Sequence, residues 1–182
     1  YSLEDYQYPD PYSNYQPYGV HGYSQVIDHA QYIWHDNNWH GIKQKNMIIM
    51  ELHVGTFTAE GTFKAAKNKL KYLKDLGVNA IELMPINQTP GRWNWGYDGT
   101  GLFTVNNNYG TPNELKEFVD ICHKHEIAVI LDVVYNHFGP EGNYLTFFGP
   151  YFTYKHNTPW GPAINYDDKY SEFTRKMVLD NV

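Results

Sequence analysis

At 182 residues the chain is long enough to bury one sizeable core, and 42% hydrophobic with 19% charged residues marks a folded rather than a disordered polymer. A net charge of −6 with no basic run argues against nucleic acid or an anionic membrane as partner, and no stretch is apolar for long enough to span a bilayer. The one cysteine, Cys122, excludes an intramolecular disulfide framework and fits a reducing, cytoplasmic compartment. The chain opens on Tyr1 with neither a methionine nor a signal-like segment, so a native N-terminus is expected upstream. The 17 Tyr, 9 Phe and 5 Trp residues suit the C–H faces of sugars and equally suit ordinary packing, so composition leaves both uses open.

Residues 1–45 are rich in turns and aromatics, and Pro9, Pro11 and Pro17 rule out a helix there. "YSQVID" (23–28) reads as one short strand, and the stretch contains no complete domain. From residue 46 the pattern becomes regular. "MIIMELHVG" (47–55) predicts a buried strand. Phe63, Ala66, Leu70, Leu73 and Leu76 follow at helical spacing, and Gly77 stops that helix. "NAIELMPI" (79–86) is the second strand, followed by a long loop through Gly91, Trp93, Trp95, Tyr97 and Gly99. Thr111, Pro112 and Glu114 make a capping box for a helix whose apolar face is Leu115, Phe118, Val119 and Cys122. "IAVILDVV" (127–134) predicts a third strand, buried on both faces. A second long loop runs from about 137 to 168, and a last helix from about 170 to 182.

Strand alternating with helix means a parallel sheet with crossover helices. No glycine-rich phosphate loop follows any strand, which argues against a dinucleotide-binding sheet. The long loops follow the strands' C-terminal ends, the active face of a (β/α)8 barrel. The fold class expected is therefore α/β: a partial (β/α)8 TIM barrel over 46–182, comprising the first three strand–helix units.

Asp132 and His137 close the third strand with more hydrogen-bonding capacity than a buried strand needs. Either they bind a polyhydroxylated ligand at the barrel mouth, or they tie their own loop. Trp93, Trp95 and Tyr97 either form a sugar-stacking platform or pack their own loop. Asp98, in the same loop, is a candidate substrate contact with a structural role as the alternative. Glu51 and Glu82 are expected to be structural, hydrogen-bonded inside the barrel, with a catalytic role as the alternative, and His53 to be hydrogen-bonded near the end of the first strand. His35, His40, His123 and His125 show no ligand spacing, so no metal site is expected.

"DVVYNHFGPEGNYL" (132–145) resembles the first conserved motif of the α-amylase superfamily, glycoside hydrolase family thirteen. "ELHVGTF" (51–57), "AIELMPI" (80–86) and "WGYDG" (95–99) are similar to the first strand, second strand and second loop of the same barrel. "PDPYSNYQPYGVHGYSQVID" (9–28) and "GPYFTYKHNTPWGPAINYDD" (149–168) resemble, more narrowly, the branch that releases trehalose from malto-oligosyltrehalose. That resemblance implies an α-glucan or malto-oligosyltrehalose substrate and no cofactor. It also implies roles. Tyr97 would stack on the glucose in subsite −1, His137 would hydrogen-bond that glucose, and Asp132 would brace an arginine beside the nucleophile. Asn136 would tie the third loop; in calcium-dependent relatives the equivalent amide binds the ion, which is not expected here. Trp160 would wall the cleft. Residues 1–45 would be the end of an N-terminal β-sandwich and its linker.

The family's nucleophile lies in a "DGxRxD"-type motif on the fourth strand, its acid/base is a glutamate on the fifth, and a further aspartate follows the seventh. None of these motifs occurs in the chain, so no catalytic residue is assigned within it. The resemblance implies part of a retaining hydrolase that is inactive alone. Another α-glucan-active enzyme, branching or debranching, and a non-catalytic glucan-binding fragment are the alternatives.

Overall fold

The computed structural model describes residues 2–3, 6–159 and 161–182. Two-residue strands β1 (Ser2–Leu3) and β2 (Tyr6–Gln7) pair antiparallel. No strand forms over 23–28, contrary to expectation. That stretch is held by single bonds instead: Gln25 N–H donates to the Tyr15 carbonyl at 2.9 Å, and the Asp28 side chain caps a 3-10 turn at His29–Gln31. One such backbone bond is not a ladder, and alternation alone does not make a strand.

Three parallel strands follow: β3 (Ile49–Leu52), β4 (Ala80–Leu83) and β5 (Ala128–Leu131), in the spatial order β3-β4-β5. Ile49, Ala80 and Ala128 share one register level, and Leu52, Leu83 and Leu131 another. The crossovers are α1 (Val54–Phe57), α2 (Phe63–Lys67) and α3 (Leu70–Asp75) before β4, and α4 (Pro112–Lys124) before β5. This is a partial (β/α)8 barrel of three strand–helix units.

The expected first crossover helix is divided at Asn68 and Lys69, yet its apolar face is continuous: Phe63, Ala66 and Leu70 are fully buried and Leu73 is nearly so. Leu76 departs from expectation and is 61% exposed. Gly77, at φ +91°, turns the chain so that Val78 N–H reaches back to the Leu73 carbonyl at 3.1 Å. Val78 thereby takes the buried place that helical periodicity assigns to Leu76. Phe63 meets Phe118 of α4 with ring centroids 6.0 Å apart, and Cys122 lies in the same core.

The capping box at α4 forms as expected. Thr111 Oγ1 accepts from Glu114 N–H at 3.3 Å, and Glu114 Oε2 accepts from Thr111 N–H at 2.8 Å. Thr111→Ala is expected to lower unfolding free energy by about 1 kcal/mol in chemical denaturation of a complete protein carrying this segment. A change within error would mean that packing of Phe118 alone holds that end.

Only β4, flanked on both sides, is buried as expected, with Ala80 and Ile81 fully enclosed. Ile49 of β3 is 50% exposed and Leu131 of β5 is 46% exposed, so neither outer strand is buried on both faces. Each has a paired neighbour on one side only. Glu51 and Glu82 stand opposite each other in register, with Ile130 next to Glu82. No hydrogen bond joins either carboxylate to another described residue, where one was expected. Both face the side of the sheet that three strands leave open.

The long segment after β5 is not a plain loop. It contains a 3-10 turn at Leu145–Phe147 and an antiparallel hairpin of β6 (Phe152–Thr158) and β7 (Gly161–Ile164). Helix α5 (Ser171–Asn181) follows. No helix among the described residues is long and apolar enough to cross a membrane.

The N-terminal segment lies against this frame. Thr104 Oγ1 donates to the Ser13 carbonyl at 2.8 Å and Val105 N–H to the Asn14 carbonyl at 3.0 Å. On α4, buried Asp120 accepts from the Tyr32 hydroxyl (3.2 Å) and from both the backbone N–H (3.0 Å) and Nδ1 (2.8 Å) of His35. One turn on, His123 Nδ1 reaches Asp36 at 2.7 Å and stacks on Trp39.

Candidate functional site

The site is built at the C-terminal ends of β4 and β5. Asp132 continues the β5 ladder by one residue, its N–H donating to the Leu83 carbonyl at 2.9 Å. That bond fixes where the carboxylate leaves the sheet. Asp132 Oδ2 then accepts from the Tyr97 hydroxyl at 3.0 Å. Sequence reasoning singles out both residues, and the structure brings them together from positions 35 apart.

Tyr97 is placed by a tightly folded loop. Asn94 Oδ1 accepts from Gly96 N–H at 2.6 Å, and Asn94 Nδ2 donates to Asp98 at 3.0 Å. Gly96 adopts φ +91°, and a Cβ there would lie 2.0 Å from the Pro85 carbonyl oxygen. Behind the loop, His53 Nε2 donates to the Asn94 carbonyl at 2.7 Å and its Nδ1 pairs with the Thr56 hydroxyl at 3.1 Å, as expected for that histidine. The loop is stitched to the next one where Gly139 N–H donates to the Gly99 carbonyl at 2.9 Å.

The Asp132 carboxylate, accepting a hydrogen bond from the phenol, raises the Tyr97 pKa above its ordinary value, and burial adds to this. Tyr97 is therefore a neutral donor throughout the physiological range. Asn136 Oδ1 accepts from His137 Nδ1 at 2.9 Å, which orients the imidazole ring.

A groove of about 850 Å³ runs past these groups. Tyr97, Asp132, Asn136 and His137 form one wall; His156, Ile164, Tyr166 and Asp167, from the hairpin and the turn after it, form the other. Tyr166 donates to the Tyr135 carbonyl at 2.5 Å and so bolts the two walls together. The second wall is the part that sequence reasoning missed. Its signal was the strand-forming run "YFTY" ahead of "NTPWG", which only pairing across the hairpin turns into a wall.

The remaining candidates separate. Asp98 is exposed, is bound to Asn94 and does not line the groove. Trp93 and Trp95 are 67% and 71% exposed, so they do not pack the core; Arg92 lies 5.0 Å from the Trp93 ring centroid. Trp160 falls outside the described residues. Among the described residues no group of three or more His, Cys, Asp and Glu side chains is placed to hold a metal ion.

Polar side chains gathered at the C-terminal ends of parallel strands occupy the face on which (β/α)8 barrels carry their sites. The chain belongs to the α-amylase family: the family described as Alpha amylase, catalytic domain, matches residues 8–159. A malto-oligosyltrehalose trehalohydrolase of Saccharolobus solfataricus is 54% identical over 183 residues, covering 100% of this chain and 32% of that protein. A malto-oligosyltrehalose trehalohydrolase of a Rhizobium species is 47% identical over 174 residues, covering 96% of this chain and 29% of its own length. The crystal structure of a putative α-amylase from Salmonella typhimurium superposes with TM-score 0.91 at 44% identity, covering 96% of this chain and 30% of that one. The chain thus spans about a third of the length of the proteins it matches.

Proposed function

We propose that the chain is the N-terminal portion of the catalytic barrel of a malto-oligosyltrehalose trehalohydrolase. The observation that carries this reading is the 54% identity to a protein of that name along the whole chain. The complete enzyme would cleave the α-1,4-glucosidic bond next to the terminal trehalose and release trehalose by a retaining double displacement. Such chemistry needs two carboxyl groups ~5–5.5 Å apart across the bond. Both would come from barrel strands beyond this segment, which makes the isolated chain inactive.

This segment would supply one wall of the glucose-binding subsite. Tyr97 would offer its ring to the sugar face while Asp132 fixes its hydroxyl. His137, oriented by Asn136, would hydrogen-bond that glucose. Asp132 Oδ1 makes no bond to another described residue, which suits an arginine of the following strand. Trp160 would wall the cleft, and Asp98 would add a substrate contact. We also propose that residues 1–45 are the end of a β-sandwich module plus linker, and that the protein is cytoplasmic, in keeping with its one buried thiol.

In a complete enzyme carrying this segment, trehalose release from malto-oligosyltrehalose should be measurable, and His137→Ala should lower kcat/KM about 10-fold. That is the scale of one hydrogen bond of ~1.5 kcal/mol strengthened in the transition state. An enzyme that acts on α-glucans without releasing trehalose would overturn the specificity assigned; unchanged kinetics in the variant would reduce His137 to a loop tie.

A further inference from the structure

Opposite the Tyr97–Asp132 wall, the groove carries a polar pair on separate strands of chain. His156 of β6 bonds Asp167 through Nε2, at 3.1 Å to Oδ1 and 3.0 Å to Oδ2. Lys155 Nζ adds a bond to Asp167 Oδ2 at 2.9 Å. His156 and Asp167 line the groove, whereas Lys155 does not. Both groove residues are about half exposed, at 55% and 49% for their side chains, so the pair is presented to solvent rather than used as core.

The backbone beneath the pair is fixed. Asn165, 2% exposed, donates to the Pro150 and Lys169 carbonyls at 2.9 and 3.0 Å and accepts from Asp168 N–H at 3.0 Å. Tyr166, between Asn165 and Asp167, is the residue bolted to Tyr135 on the opposite wall. A polar pair whose backbone is held this firmly is preorganised for a ligand in the groove. The His156 and Lys155 bonds hold the Asp167 carboxyl below its ordinary range, so it is ionised wherever the protein is folded near neutrality.

We propose that His156 and Asp167 are specificity-determining residues that read the hydroxyls of a sugar ring lying beyond the one held by Tyr97 and His137. An inference about this same groove, it rests on the glycoside-hydrolase reading above. Asp167, acceptor only, suits the O–H groups of a pyranose. Donating from Nε2 to Asp167 leaves the neutral imidazole an acceptor at Nδ1, so the pair presents neighbouring acceptors to neighbouring hydroxyls. Ile164 and Ala163 add apolar surface to the same groove.

The test is steady-state kinetics of a complete enzyme carrying this segment, with malto-oligosyltrehalose as substrate. Asp167→Asn and His156→Phe should each raise KM about 10-fold, with the larger share of the effect on KM rather than kcat. His156→Gln, which can still donate to Asp167 and accept from a hydroxyl, should recover most of the loss. Lys155→Met is the control for bracing: it removes a partner of Asp167 that does not line the groove, and KM should change less than threefold. An equal rise for Lys155→Met and His156→Phe, or KM within twofold of wild type in both groove variants, would overturn the inference. Thermal melts identify any variant whose loss is one of folding, and the other groove variant then decides. If the wild type releases no trehalose but acts on another α-glucan, the specificity in the proposed function fails. The same variants are then read on that glucan's KM, where a 10-fold rise still supports the pair as a sugar reader.

Discussion

Purified on its own, the 182-residue chain is expected to self-associate or to remain molten, and to release no trehalose from malto-oligosyltrehalose. Its two outer strands carry the reason. Ile48 and Ile49 beside the first strand's open edge are 58% and 50% exposed, and Leu131 and Val133 beside the third strand's are 46% and 41% exposed. Apolar strands with an unpaired ladder template further pairing. Each ~200 Å² of apolar surface left in water forfeits ~5 kcal/mol at ~25 cal/mol per Å². Net stability of a domain is only ~5–15 kcal/mol, so two open edges and an unfilled interior are enough to remove the margin. Light scattering after size exclusion, near-UV circular dichroism and a trehalose assay would decide. A monomer with a sharp two-state melt would show that this segment closes its own core. Turnover abolished by mutation within the chain would show that it holds a catalytic carboxylate pair.

Gly96→Ala should have the largest effect of any single methyl group added to the site. The new Cβ would sit 2.0 Å from the Pro85 carbonyl oxygen and 2.7 Å from its carbon, both backbone atoms that cannot swing aside. Its φ of +91° adds strain of ~1–3 kcal/mol for a residue with a Cβ. The loop must therefore move, and Tyr97 is the next residue. A displacement of ~1 Å at a positioning group can lower catalysis ~100-fold, and kcat/KM of the complete enzyme should fall on that scale. Gly41→Ala is the matched control: φ is +75°, but nothing lies within 4 Å of the added methyl. It should lose ~1 kcal/mol of stability and keep its kinetics. Wild-type kinetics in Gly96→Ala would mean that the loop has slack and that Tyr97 is set by something other than its neighbour.

What could be read from the sequence was what local chemistry decides. The α4 capping box, the Gly77 stop and the buried face through Phe63, Ala66, Leu70 and Leu73 each depend on residues within a few positions of one another. Asp132 was legible because it stands where a barrel strand ends, and Tyr97 because it lies in the long loop that follows one. Leu76 misled because periodicity counts turns of helix and cannot see that Gly77 reverses the chain before that leucine packs. The β6–β7 wall was illegible for a different reason. His156 and Asp167 are 11 residues apart, and only the hairpin's register brings them into contact. The burial expected of β3 and β5 assumed neighbours on both sides, which a three-strand segment does not provide.

The Asp120 anchor on α4 bears on the order in which the chain comes together. Its partner His35 lies 85 positions earlier, so the contact closes one of the longest loops in the molecule. Closing entropy grows with the logarithm of loop length, and such a contact forms only once α4 already exists to receive it. Burial opposes the charge on Asp120, but donors from His35 and Tyr32 overcome it and leave its pKa below the ordinary carboxylate value. The anchor therefore holds above that ordinary value and is lost as pH falls through the lower, folded one. Acid would thus undo a contact that folding makes late: segment 32–39 would lift from α4 while the Phe63–Phe118 core, which carries no charge, stayed shut.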